Sequence, residues 1–196
     1  KFLKSQINPH FLFNTMNNIY SLAQVKSEQT PDAILRLSGL LRYVLYDSDK
    51  EAVKLSQEVE YLKQYIELSL LKDEDVSNVS MNIEPADFGS TSTADANIPP
   101  LLLIPFVENA FKHSNVEDKS VGYIKIDLKL EHNKLTFNVK NSVARSAQKD
   151  KTGGVGLDNV KRRLELLFPK SKGNQYDLKV TATDLEYEVV LKLDLK

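Results

Sequence analysis

An α+β fold is what this sequence predicts: an N-terminal hairpin of amphipathic helices, then an α/β sandwich built on a mixed sheet. Three observations carry that expectation. Apolar residues recur at helical spacing as far as Leu70. Beyond Asp75 several runs alternate apolar and polar residues with the period of strands. Two further amphipathic segments interrupt those runs, so helices have a sheet to pack on.

The elements follow in order. Leu3, Ile7, Phe11, Leu12, Met16, Ile19 and Ala23 form the apolar side of a first helix. Gln6, His10, Asn14, Asn17 and Ser21 form a polar stripe along it. "SEQTPDA" breaks the pattern, with Thr30 as the expected N-cap and Pro31 at the first helical position. Ile34, Leu37, Leu40, Leu41, Val44 and Leu45 make the buried side of a second helix. Ser56 is the expected cap of a third, with Val59, Leu62, Tyr65, Ile66, Ser69 and Leu70 inward. Helices joined by a short break fold back on one another.

"VSMNIEP" then alternates as a strand, and "ADFGSTSTADAN" reads as a loop. Pro99 and Pro100 open a strongly apolar helix that runs to about His113. "YIKIDLKLEHNKLTFNVKNS" reads as a β-hairpin turning at "EHNK". "VARSAQKDKTGG" is polar. Gly156 to Phe168 is a helix, and "YDLKVTATDLEYEVVLKLDL" is a second antiparallel pair. The expected boundary lies near residue 75, giving a helical region over 1–74 and a sandwich over 75–196.

Composition narrows the function classes. The chain has 196 residues, with 41% hydrophobic and 27% charged, which is enough apolar content for a packed core. Net charge is -1, so no general positive field favours direct binding of nucleic acid. Without cysteine there are no disulfides or thiolate metal sites. His10, His113 and His132 stand far apart in sequence, which disfavours a zinc site. No apolar run is long enough to span a bilayer. The helical pattern is already under way at "KFLKSQI", which reads as part of a longer chain.

Three clusters suggest phosphoryl transfer. In "QINPHFLFN", His10 follows Pro9, a residue that removes a backbone hydrogen bond within a helix. Imidazole titrates near neutrality and can act as a nucleophile. By spacing alone, His10 reads equally as a solvated surface histidine. In "PFVENAFKHS", Glu108, Asn109, Lys112 and His113 interrupt an apolar pattern. An asparagine carbonyl is a hard oxygen ligand suited to Mg²⁺, and Lys112, one turn on, can reach phosphates. The plain alternative is an amphipathic helix with a hydrated end. In "GGVGLDN", glycines before a helix let backbone amides approach an anion, although a tight turn has the same composition. The stretch before it carries Arg145, Lys149 and Lys151 and suits a lid, or an ordinary solvated loop. Lys161, Arg162 and Arg163 read as a solvated helix face, with Arg163 also placed to approach phosphate or the partner domain.

Together these segments resemble the LytS/YehU-type sensor histidine kinases. "LKSQINPHFLFNTMNNI" is similar to that family's phosphoacceptor box, and "LLRYVL" to its second-helix signature. "LLIPFVENAFKHS" is similar to its N box, and "GVGLDNVKRRLELLF" to its second glycine box. The likeness covers essentially the whole chain, in the family's order. It implies a dimerising phosphoacceptor region followed by an ATP-binding domain of the GHKL type shared with gyrase, Hsp90 and MutL.

The resemblance also implies ATP and Mg²⁺ as cofactors and a membrane-bound sensor upstream. This chain would then be a cytoplasmic portion of a bacterial inner-membrane protein. The implied partners are a second copy and a response regulator receiver domain, commonly of the LytTR type. Carried over by position, His10 is the phosphorylated residue and Asn109 the Mg²⁺ ligand. Lys112 and His113 lie on the phosphate side, Gly154 and Gly156 belong to the glycine box, and Glu108 is a candidate base. The first glycine box departs from the family's aspartate-asparagine-glycine. It reads "VKNSVA", with Asn141 at the aspartate position and Ser142 and Val143 after it. Asn141 can still accept from the adenine amine, as a neutral and weaker partner. The altered box motivates an alternative function, a degenerate dimeric signalling scaffold.

Overall fold

The structure, a computed structural model, describes residues 9–72, 77–85, 96–116, 118–143, 155–169 and 175–195. Five α-helices and seven strands are described: α1 Pro9–Gln24, α2 Thr30–Arg42, β1 Val53–Lys54, α3 Leu55–Ser69, β2 Val79–Glu84, β3 Asn97–Ile98, α4 Ile104–His113, β4 Ile124–Glu131, β5 Lys134–Ser142, α5 Val155–Leu167, β6 Tyr176–Ala182 and β7 Glu186–Asp194. This is the expected α+β arrangement, with helices first and a mixed sheet after them.

The sheet runs β2-β4-β5-β7-β6. β2 lies parallel to β4, and every other pairing is antiparallel. Period-2 patterning sets its two faces. Ile124, Ile126, Leu128 and Leu130 of β4 are buried, while the lysines and acids between them are exposed. Leu135, Phe137 and Val139 continue the buried face on β5. α4 covers this face, with the Phe106 and Phe137 rings 6.2 Å apart, and α5 packs beside α4. His132 and Asn133, both at positive φ, turn β4 into β5, as "EHNK" predicts.

The helical part differs from expectation in its ends and its faces. Gln29, not Thr30, is the N-cap of α2, with proline in its first turn. Lys54 caps α3, and its N–H donates to Gln57 Oε1 at 3.2 Å, so Ser56 is already inside the helix. α4 begins at Ile104 rather than at the prolines, because Leu101 takes a positive φ of 56° and turns the chain. Ile34 and Leu45 belong to the periodic apolar set yet stay 51% and 48% exposed. Met16 of α1 is exposed as well. The π-helical turn Tyr43–Asp47 ends α2, and Tyr43 and Val44 in it are buried.

α3 joins the two parts. β1, just before it, pairs with β3, and Leu55 N–H donates to Ala96 O at 2.8 Å. Residues as separate as Ile19, Leu62, Val107 and Leu191 therefore share one hydrophobic core.

Candidate functional site

His10 is exposed near the described start of α1. Asn14, one turn on, places its Nδ2 3.2 Å from His10 Nδ1. Phe11 points the other way and stacks on Tyr65 of α3, with centroids 4.3 Å apart and planes at 26°. Tyr65 also meets the edge of Phe111 of α4 at 6.0 Å. One ring of α3 thus touches both the residue after His10 and the residue before Lys112.

α4 is helical because Ile104, Phe106, Val107 and Ala110 can all be buried on the sheet side, with Pro105 in the first turn. Lys112 and His113 fall in its last turn, where the helix dipole favours positive charge. Helical spacing puts Glu108, Asn109, Lys112 and His113 on the remaining face. Glu108, Asn109 and His113 are half-buried and Lys112 is exposed. Burial pushes the Glu108 carboxyl up to about 7. Its charge also helps hold the Tyr61 and Tyr65 hydroxyls protonated, after their own burial, so it lies on the side of α4 that faces α3.

Asn141 is buried near the end of β5, on the same face as Phe137 and Val139. Its Nδ2 donates to Ser142 O at 2.7 Å. Ser142 has a structural job of its own: its Oγ accepts from Tyr123 N–H at 3.0 Å, and its N–H donates to Tyr123 O at 3.1 Å. Val143 N–H then donates to Leu185 O at 2.8 Å. Residues 141–143 are therefore held by ordinary strand-type bonds, and no glycine conformation is required there. Gly156 lies in the first turn of α5, and Gly154 lies outside the described residues, as do Gln6 and the stretch 144–154.

No three residues of His, Cys, Asp and Glu gather into a metal cage among the described residues. An asparagine oxygen on the open face of α4, supplemented by phosphate oxygens and water, is nevertheless a donor set that Mg²⁺ accepts.

Sequence reasoning missed Glu58. This carboxylate is fully buried and accepts from Tyr43 Oη at 2.5 Å, Leu101 N–H at 2.9 Å and Leu103 N–H at 3.1 Å. Desolvation raises its pKa against those donors and against Arg163. The signal was present, since Leu55, Glu58, Leu62 and Tyr65 share one helical stripe. Arg163 is predicted from the sequence on a solvated face, or approaching phosphate or the partner domain. It instead donates to Leu101 O at 2.8 Å and Pro100 O at 2.5 Å.

Residues 1–75 match the family model described as histidine kinase. The chain is 28% identical over 180 residues to the sensor protein LytS of Staphylococcus saprophyticus, covering 86% of this chain and 29% of that protein. It is 26% identical over 190 residues to the sensor histidine kinase/phosphatase LytS of Staphylococcus aureus, covering 90% of this chain and 32% of that one. The resemblance to LytS-type sensor histidine kinases is thus borne out, and the chain spans about a third of the length of these relatives. Among solved structures, the histidine kinase domain of Erythrobacter litoralis EL346 has a TM-score of 0.48 at 16% identity, covering 93% of this chain and 94% of that one. Acinetobacter baumannii AdeS has 0.47 at 14%, covering 89% and 82%. Both values are too low to bear on function.

Proposed function

We propose that this chain is the catalytic core of a two-component sensor kinase that phosphorylates itself on His10 with ATP. The observation that carries the proposal is the contact of Tyr65 with both Phe11 and Phe111, which ties the His10 helix and the helix of Asn109 and Lys112 to one ring of α3. In this reading, residues 1–74 accept the phosphoryl group and residues 75–196 bind nucleotide.

In this reading His10 Nε2 attacks, with Nδ1 held by Asn14. An amide can present oxygen as well as nitrogen, so Asn14 can also accept Nδ1–H as charge develops on the ring. The Nε2–phosphorus bond forms as the bond from the γ-phosphorus to the ADP oxygen breaks. The proton left on Nδ1 then departs through water, with Glu108, its carboxyl raised to about 7, proposed as the base that receives it. Asn109 would hold Mg²⁺, which supplies charge neutralisation between the phosphates. Lys112 and His113 would serve the phosphates, Gly154 and Gly156 would belong to the glycine box that approaches them, and Asn141 would meet the adenine. The receiver aspartate then forms an oxygen–phosphorus bond as the nitrogen–phosphorus bond breaks. The resemblance to LytS-type kinases supports a receiver of the LytTR type, a homodimer and a membrane segment outside this chain.

Incubation with γ-labelled ATP tests the reading. His10→Gln abolishes acid-labile label while nucleotide still binds, and Asn109→Ala loses Mg²⁺-dependent labelling. Normal labelling of His10→Gln overturns the assignment. One feature motivates the scaffold alternative: the first glycine box is altered, with the neutral Asn141 at the aspartate position and Ser142 and Val143 after it. Absence of nucleotide binding at millimolar concentration selects that alternative.

A further inference from the structure

A buried carboxylate and a partly buried guanidinium hold one short turn from opposite chemical sides. Glu58 accepts the N–H groups of Leu101 and Leu103, and Arg163 donates to the C=O groups of Pro100 and Leu101. The turn leads directly into α4, and Leu101 sits in it at a φ of 56°, a conformation that L side chains rarely adopt. Arg163 comes from α5, seven residues and two turns beyond Gly156, on the same face of that helix. Glu58 comes from α3, and its third donor is the hydroxyl of Tyr43 in the π-helical turn that ends α2. Tyr43 is itself held against Tyr61, with ring centroids 4.9 Å apart.

Charges withdrawn from water are a costly way to close a turn that apolar packing could also close. What they add is geometric specificity, because each fixes more than one hydrogen-bond direction. The elements so fixed are α4, which carries Asn109 and Lys112, and α5, which carries Gly156.

We propose that Tyr43, Glu58 and Arg163 are positioning residues that set the spacing of α4 and α5, so that nucleotide affinity depends on a hydroxyl in the helical hairpin. The inference rests on the nucleotide site proposed above. None of the three needs to touch nucleotide. Loss of the Tyr43 hydroxyl leaves Glu58 with two donors in place of three and relaxes its hold on the turn. The strain at Leu101 is then free to redistribute, and α4 shifts relative to α5.

The test compares the wild-type chain with Tyr43→Phe, Arg163→Lys and a control, Leu193→Val. Leu193 is buried on β7 opposite Leu135, six residues along the strand from Tyr187, the partner of Asn141. Binding of a non-hydrolysable ATP analogue with Mg²⁺ is measured by calorimetry well below each melting midpoint. Tyr43→Phe and Arg163→Lys weaken binding roughly fivefold or more. In labelling assays they raise KM for ATP while kcat stays within about twofold. Leu193→Val lowers the melting midpoint and leaves binding unchanged. Folded variants that bind the analogue as the wild type does overturn the positioning role, and if Arg163→Lys does not fold, Tyr43→Phe decides alone. A wild-type chain that binds no analogue overturns the kinase reading itself and this inference with it.

Discussion

Phe11 stacks on Tyr65 with ring centroids 4.3 Å apart, so the residue beside His10 is an anchor and not part of a solvated helix surface. His10 and Phe11 are neighbours in sequence with opposite tasks. One stays exposed, and the other fixes the rotation of α1 about its axis.

Phe11→Ala removes that anchor. A stacked aromatic pair contributes about 0.5–1.5 kcal/mol beyond the area it buries. Since Phe11 is half-buried, the total loss expected is about 2 kcal/mol. Urea titration reads the loss as a lower midpoint. Labelling of His10 falls more than nucleotide binding does, and Phe11→Tyr restores most of it.

Glu108 makes stability depend on pH. An ordinary glutamate ionises near 4.5, and in the folded chain burial moves Glu108 to about 7. Below 4.5 both states carry the proton and the group contributes nothing to the difference. As pH rises from 4.5 to 7 the unfolded chain ionises first, so the folded state loses stability across that window. The gap corresponds to at most about 3 kcal/mol. Glu108→Gln is therefore more stable than the wild type at pH 8 and similar to it at pH 4, as thermal melts can show. The rate of His10 labelling rises through pH 7 in the wild type and loses that inflection in Glu108→Gln.

Asn141→Asp separates fold from affinity. The change removes the donor to Ser142 O and places a carboxylate at a position 1% exposed. The nucleotide-free protein is expected to lose about 2 kcal/mol. A charged acceptor opposite the adenine amine gains about 1 kcal/mol over a neutral one, or roughly fivefold in affinity. Melting without nucleotide and calorimetry with an ATP analogue measure the two effects.

Phe13, Met16 and Tyr20 lie on one exposed face of α1, and Ile34, Leu35 and Leu45 are exposed on or just after α2. So much unburied apolar surface on two adjacent helices supports association with a second copy. Leu35, 70% exposed, makes a clean test because the monomer loses little when it changes. Leu35→Glu is expected to turn a dimer into a monomer in sedimentation velocity, with the melting curve nearly unchanged. A monomeric wild type refutes the dimer.

Much of the candidate site is legible in the sequence. Helical spacing brings Glu108, Asn109, Lys112 and His113 together within about one turn of α4, and packing then turns Glu108 towards α3. The burial of Asn141 also follows the alternation of β5. Contacts between distant segments are not legible in the same way. Nothing near Arg163 in sequence points to Pro100, 63 residues away, or near Glu58 to Leu103, 45 residues away.

Local sequence by itself determined the α-helices and the five strands of the main sheet, the hairpin turn at His132 and Asn133, and the chemistry that each segment offers. These depend on spacing and backbone preference within a few residues, whereas the short β1 and β3 form only because they pair with each other. Tertiary structure alone decided that β2 runs parallel to β4, that Tyr65 serves both Phe11 and Phe111, and that Glu58 and Arg163 close on one turn. Those outcomes depend on which surfaces are buried together, and a charged side chain is stable in the core only where distant backbone groups arrive to bond it.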